Sequence, residues 1–387
     1  RTERFRPPAD YFDHQQNRPF QRARLASGCT AVLVTRHDHV RRLLDDPRLS
    51  SDEGVPGYPF LYEGAFASPL KDTFMRQDGP PHARVRRMLA GEFTAKRAAW
   101  LKGDIQHLVD KCLDDMAAQG GPVDLVPALA FPVPSGTICR LLGVPEDARS
   151  VFESNTRAMI DISSTQEQVM GAMGAIMGYL GELISQKEKS PQDDLLSRLV
   201  QEQLKPGHLP IEELVQIALI LLVAGHETTA TMIGLGTYAL LEHPEQVKRL
   251  HHNPALWPSA VEELLRHQTI VQNPVQRVAT ADIEIDGEII RAGEGVVMVL
   301  EAANRDARTY SKPDVLDIGR NPRNHVSFSF GPHHCLGHAL ARIELQVVFQ
   351  SLFTRFPTLR LAVPSEQVPM RPASVGLYGV DSLPVTW

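Results

Sequence analysis

The stretch LPIEELVQIALILLVAGHETTATMIGLGTYALLEHP, residues 209–244, constrains the fold more than any other part of the chain. It predicts one helix of about thirty residues, opened near Pro210 with Glu212 and Glu213 in its first turn and closed before Pro244. Apolar residues lie on every side of its middle, so no face of it suits water and it belongs at the centre of a large helical body. Its longest unbroken apolar run, IALILLVAG from Ile217, stops at His226 and Glu227. That is short of the roughly 18 to 20 residues needed to cross a bilayer, and no other run is longer. A membrane is therefore not an expected partner.

The rest of the chain is read as helices around this one, with small sheets beside them. DIQHLVDKCLDDMAAQGG, residues 104–121, places Ile105, Leu108, Val109, Cys112, Leu113 and Met116 on one face and stops at Gly120 and Gly121. Strand signals gather in two places. One is TAVLV at residues 30–34; the other runs over residues 276–306, where Asp286-Gly287 and Ala292-Gly293 separate β-branched runs. The fold class is mainly α with small β-sheets, α+β. No linker, charge block or repeat divides the 387 residues, so a single domain over 1–387 is expected.

Composition narrows the function. A formal charge of −6 supplies no basic field for nucleic acid. Cys29, Cys112, Cys139 and Cys335 are far apart with no CxxC spacing, which argues against a disulfide framework and fits a reducing cytoplasm.

Cys335 stands in FSFGPHHCLGHALARIELQ, residues 328–346, between a loop and a helical pattern. Amide N–H groups and the positive dipole end at a helix start favour a thiolate there. Three readings follow. The cysteine is a buried structural residue; or it joins His333, His334 and His338 around zinc or copper; or it is the axial thiolate of a haem. Neighbours such as His334 and Cys335 point to opposite sides of an extended loop, which disfavours the four-ligand cage.

The third reading rests on a resemblance. The loop resembles the proximal loop of the cytochrome P-450 family of haem-thiolate monooxygenases: Phe328, Gly331, His333 and Gly337 fill that family's pattern around Cys335, while Ser329 stands where a glycine is usual. EELLR, residues 262–266, resembles the ExxR pair through Glu263 and Arg266, with Arg320 in the third place. Taken alone, such a pair is a solvated ion pair worth a few tenths of a kcal/mol. GPPHARVRRML, residues 79–89, resembles the HxxxR signature through His82 and Arg86, and Arg277 falls where the family has another propionate partner.

AGHETTA, residues 224–230, resembles the distal-helix motif in which a local opening of the helix, here at Gly225, makes room for dioxygen. Glu227 and Thr228 then match the acid and alcohol that deliver protons. On the residues alone, Thr228 bonds back to the Ala224 carbonyl and Glu227 finds a salt-bridge partner.

The resemblance, which covers nearly the whole chain, implies a triangular helical fold around a buried haem b (iron-protoporphyrin IX) held by Cys335. The implied chemistry is hydroxylation or epoxidation by dioxygen of a lipophilic small molecule such as a polyketide, a sterol-like compound or a xenobiotic. No GxGxxG lies between a strand and a helix, so electrons are expected from a separate ferredoxin and ferredoxin reductase. Arg84, Arg87, His338 and Arg342 are candidates for the docking face. The pocket is expected from residues 218–229, 269–275, 59–75 and 372–379, with 168–183 as a roof. Alternatives are a peroxide-driven or nitric-oxide-reducing haem enzyme and a non-catalytic haem-thiolate sensor.

Overall fold

The computed structural model describes residues 4–62, 73–161, 163–372 and 376–387. Packing divides the chain into two units, residues 1–89 with 262–338 and residues 90–261 with 339–387.

The first unit is organised by a five-stranded sheet in the order Phe20–Arg24, Thr30–Val34, Gly295–Met298, Val275–Ala279 and Leu49–Ser50. TAVLV is a strand as expected, and it pairs in parallel with Gly295–Met298, Ala31 opposite Gly295 and Val34 opposite Met298. The other pairs are antiparallel. Val32, Val34, Val296 and Met298 pack with Val40, Leu43 and Leu44 of the helix His37–Leu44 and with Val326 in one core. The hairpin Ile283–Ile285/Glu288–Ile290 turns at Asp286 (φ 51°) and Gly287 (φ 81°), the left-handed pair that a two-residue turn needs.

The second unit is built on the helix Ile211–Leu241, which starts after Pro210 as expected. By length and composition it could cross a bilayer, yet 78% of its most apolar window is buried inside the protein. Its neighbours include Pro132–Leu142 and Gln166–Lys189. The second of these opens on a capping box in which the Thr165 side chain and Gln168 satisfy each other's backbone N–H groups.

Two features escaped the sequence reading. The strand Phe20–Arg24 has a polar sequence, FQRAR, and the sheet of Val123–Asp124, Pro384–Thr386 and Arg360–Leu361 uses strands too short to show a period.

Candidate active site

The N–H of Cys335 donates to the Phe328 carbonyl at 2.9 Å, closing a loop that contains a single tight turn at Gly331–His333. Gly331 has φ 70°, and a Cβ there would lie 2.6 Å from the Leu44 carbonyl oxygen, so only glycine fits. Ser329 has φ 61°, which explains why glycine is the usual residue at its place, and its buried hydroxyl has no hydrogen-bond partner among the described residues. A Cβ on Gly337 would meet no protein atom within 4 Å among the described residues.

Cys335 is exposed, which removes the buried structural reading. Among the described residues no three His, Cys, Asp or Glu side chains converge as a metal cage, which removes the zinc or copper reading. His334 and His338 lie edge to face at 4.6 Å, and Phe328 lies 6.2 Å from the His338 ring.

Beside the loop, His82 and His333 stack with ring centroids 4.1 Å apart. His333 Nε2 is 3.0 Å from Ser51 Oγ and 3.3 Å from Asp78 Oδ1, while Ser50 Oγ and the Ser51 N–H donate to Asp78 Oδ2 at 2.6 and 2.9 Å. Burial opposes ionisation of Asp78, but the hydrogen bonds from His333, Ser50 and Ser51 win and hold it down at about 2. Burial, with His333 next to it, pushes His82 down to about 4. Burial alone dominates at Arg277, pushed down to about 10, and it also lowers Arg86, which Cys335 partly offsets.

These shifts test the implied cofactor. Arg277 is 8% exposed and its guanidinium donates to the Gln276 carbonyl at 2.7 Å, with no carboxylate paired to it among the described residues. Among the described residues the set has two desolvated guanidiniums and two imidazole donors against one carboxylate, Asp78. A group bearing two carboxylates and needing one thiolate ligand fits it.

The ExxR pair is a buried network. Arg266 and Glu263 are fully buried and make two parallel bonds of 2.8 Å. Arg266 Nη1 also donates to the carbonyls of Asn304 and Pro313 at 2.8 and 2.9 Å, and Arg320 Nε donates to Glu263 Oε1 at 3.0 Å. The reading of a solvated surface pair fails because tertiary packing, not helix spacing, supplies the remaining partners. Asn304, unnoticed in the sequence, links the network to the approach of the cysteine loop through Ser327 Oγ at 2.9 Å and the Val326 N–H at 2.8 Å.

The acid and alcohol lie in the second unit. Residues 211–241 stay helical throughout, so Gly225 marks no break. The glycine serves packing: a Cβ on it would meet Ile138 of the neighbouring helix at 2.8 Å. Thr228 donates to the Ala224 carbonyl at 2.9 Å. Glu227 is 1% exposed, and its Oε2 accepts from both terminal nitrogens of Arg371 at 3.2 Å each. Both bonds expected from the residues alone are therefore made, Thr228 to the Ala224 carbonyl and Glu227 to an ion-pair partner. His226 and Arg371 were missed; only a buried charge demanding a partner could have pointed to them. Residues 63–72 and 373–375 of the expected pocket, and residue 162, lie outside the described residues.

Comparisons with known proteins agree with this chemistry. The Cytochrome P450 family model matches residues 149–377. Pentalenic acid synthase of Streptomyces avermitilis is 46% identical over 100% of this chain and 96% of its own. The structure of CYP105P1 in complex with filipin I has a TM-score of 0.94 at 42% identity, covering 100% of this chain and 97% of that one. The mycinamicin VIII C21 methyl hydroxylase MycCI from Micromonospora griseorubida, bound to mycinamicin VIII, has a TM-score of 0.93 at 36% identity, covering 98% and 97%. With its thiol, its buried ExxR network and relatives that match from end to end, the chain belongs to the cytochrome P450 family of haem-thiolate monooxygenases.

Proposed function

We propose that this chain is a haem b monooxygenase that hydroxylates or epoxidises a bulky, mostly apolar small molecule of secondary metabolism or a xenobiotic. Dioxygen is the oxidant, and electrons come from a separate ferredoxin with its reductase. The observation that carries this reading is the exposed Cys335 thiol near the desolvated Arg86 guanidinium, with the buried Arg277 paired to no carboxylate among the described residues.

When bound, the haem supplies oxygen activation, which a thiolate ligand assists by pushing electron density onto iron. The chain does the rest. Cys335 holds the metal; His82, Arg86, Arg277 and His333 hold the propionates; Phe328 and the loop amides shield the sulfur. Gly225 keeps the acid–alcohol helix close against Ile138. Thr228 presents a hydroxyl that Ala224 orients, and Glu227 carries the proton.

The substrate class is supported by small and apolar residues in 218–229 and 269–275, and by relatives named for pentalenic acid or bound to filipin I and mycinamicin VIII. Docking of an acidic ferredoxin is assigned to Arg84, Arg87, His338 and Arg342. One domain, a cytoplasmic location and no membrane or nucleic-acid partner complete the reading. The helix Trp257–Gln268 runs unbroken through the boundary between the units, which supports the single domain.

The test is spectral and chemical. The reduced, carbon-monoxide-treated protein should show the red-shifted Soret band of a thiolate-ligated haem, and Cys335→Ser should abolish it. Turnover should require the ferredoxin, and Thr228→Ala should divert reducing equivalents to peroxide. Turnover with peroxide alone at the full rate would favour the peroxide-driven reading instead.

A further inference from the structure

The helix Gly79–Ala90 carries His82 and Arg86, and the residue before it is Asp78. An acidic residue there ordinarily caps its own helix by accepting from N–H groups of the first turn. In DGPPH, residues 78–82, Pro80 and Pro81 have no N–H to offer, and Gly79 turns the chain left-handed at φ 59°. The carboxylate is instead directed across the fold. Its Oδ2 accepts from Ser50 Oγ at 2.6 Å and from the Ser51 N–H at 2.9 Å, and its Oδ1 lies 3.3 Å from His333 Nε2.

These bonds join three segments, and each segment bears residues assigned to the propionates. The helix that follows Asp78 bears His82 and Arg86. Ser50 belongs to the strand Leu49–Ser50 and pairs with Val278, the neighbour of Arg277 in the strand Val275–Ala279. His333 ends the turn Gly331–His333 of the cysteine loop. The same bonds fix a ring: His333 Nε2 also lies 3.0 Å from Ser51 Oγ, and the imidazole stacks on His82 at 4.1 Å with 23° between the planes. A ring held at Nε2 keeps Nδ1 free for a further partner. Ser50 and Ser51 are buried, so little water competes for their bonds.

We propose that Asp78 is a positioning residue for the cofactor: through Ser50, Ser51 and His333 it sets His82, Arg86, Arg277 and His333 where the two propionates meet them. The inference rests on the reading of those four residues as the propionate partners. Asp78 is itself unsuited to contact a propionate, because like charges repel. Its contribution is to place the donors before the haem arrives, so that the cost of ordering them is met in folding and not in binding. Outer partners that orient cofactor ligands are worth about 10–100-fold in affinity.

The experiment uses the full-length protein loaded either with haem b or with its dimethyl ester, whose two propionates carry no charge. Release of each into an excess of haem-free myoglobin is followed at the Soret band. Asp78→Asn keeps the shape and an oxygen for Ser50 and Ser51 but loses the charge and one acceptor. It should release haem b about tenfold faster than the wild type. It should release the dimethyl ester at the wild-type rate, because cations with no anion to meet gain nothing from being placed. Ser50→Ala, a milder change that leaves the carboxylate in position, should give a smaller acceleration with the same contrast between the two cofactors, and it decides the matter if Asp78→Asn does not load. Unchanged release of haem b, or equal acceleration for both cofactors, would overturn the proposal; the second pattern makes Asp78 a general support of the fold. An absent thiolate Soret band in the wild type defeats the haem-thiolate reading, whereas a normal band with no contrast between cofactors defeats only the positioning role.

Discussion

Arg266 and Glu263 meet through two bonds of 2.8 Å with neither side chain reaching solvent, and Arg320 closes on the same carboxylate at 3.0 Å. Removing one partner leaves a buried charge without compensation, which costs about 3–5 kcal/mol. Glu263→Gln should therefore lower the denaturant midpoint sharply and reduce haem retention, and Glu263→Asp should recover part of the loss. Equal stability of Glu263→Gln and the wild type would show that the network is not a support.

Ser329 holds a left-handed backbone and buries an unpartnered hydroxyl. Ser329→Gly removes both costs, of which the backbone part is roughly 1 kcal/mol. The urea midpoint should rise with an unchanged slope.

Gly225→Ala sets two effects against each other. Alanine is better in a helix by about 1 kcal/mol, but its Cβ would sit 2.8 Å from Ile138. Overpacking costs typically about 1–3 kcal/mol, so the net change should be destabilising. Adding Ile138→Val should restore more stability than Ile138→Val changes in the wild type, a coupling read by a double-mutant cycle.

Glu344 is 2% exposed, and burial pushes its carboxyl up to about 8, with a hydrogen bond from Thr137 opposing the rise only in part. The folded protein then holds a proton that the unfolded chain has lost. The stabilising contribution is fully present below the ordinary glutamate value and is lost as pH rises through about 8. Glu344→Gln should flatten this decline, and thermal melts between mildly acidic and mildly alkaline pH measure the difference.

Arg277 is the more deeply buried of the two guanidiniums proposed to hold the propionates. Arg277→Gln should weaken haem binding on the order of tenfold, read by titrating haem into the cofactor-free protein.

Much of the site was legible because its signals are local. The spacing of His82 from Arg86 and of Glu263 from Arg266 follows helix geometry, and the punctuation around Cys335 follows turn chemistry. Asp78, Asn304, His226 and Arg371 were not legible, since each acts through a partner distant in the chain: Asp78 with His333, Asn304 with Ser327, His226 with Thr156, Arg371 with Glu227. Short strands such as Arg360–Leu361 were hidden for the same reason, because pairing and not composition makes them strands.

What the sequence by itself determined is the set of local devices: a helix too apolar for any surface, a cysteine at a helix start, cations at helical spacing and glycines where the backbone must turn left-handed. These depend on residues a few positions apart, whose interactions are fixed by backbone geometry. Only the tertiary structure decided which charges lose their water. Glu263 and Arg266 became a core network, Glu227 acquired Arg371, and Gly225 became a contact point for Ile138. Desolvation depends on the whole surrounding fold, so no stretch of sequence carries it.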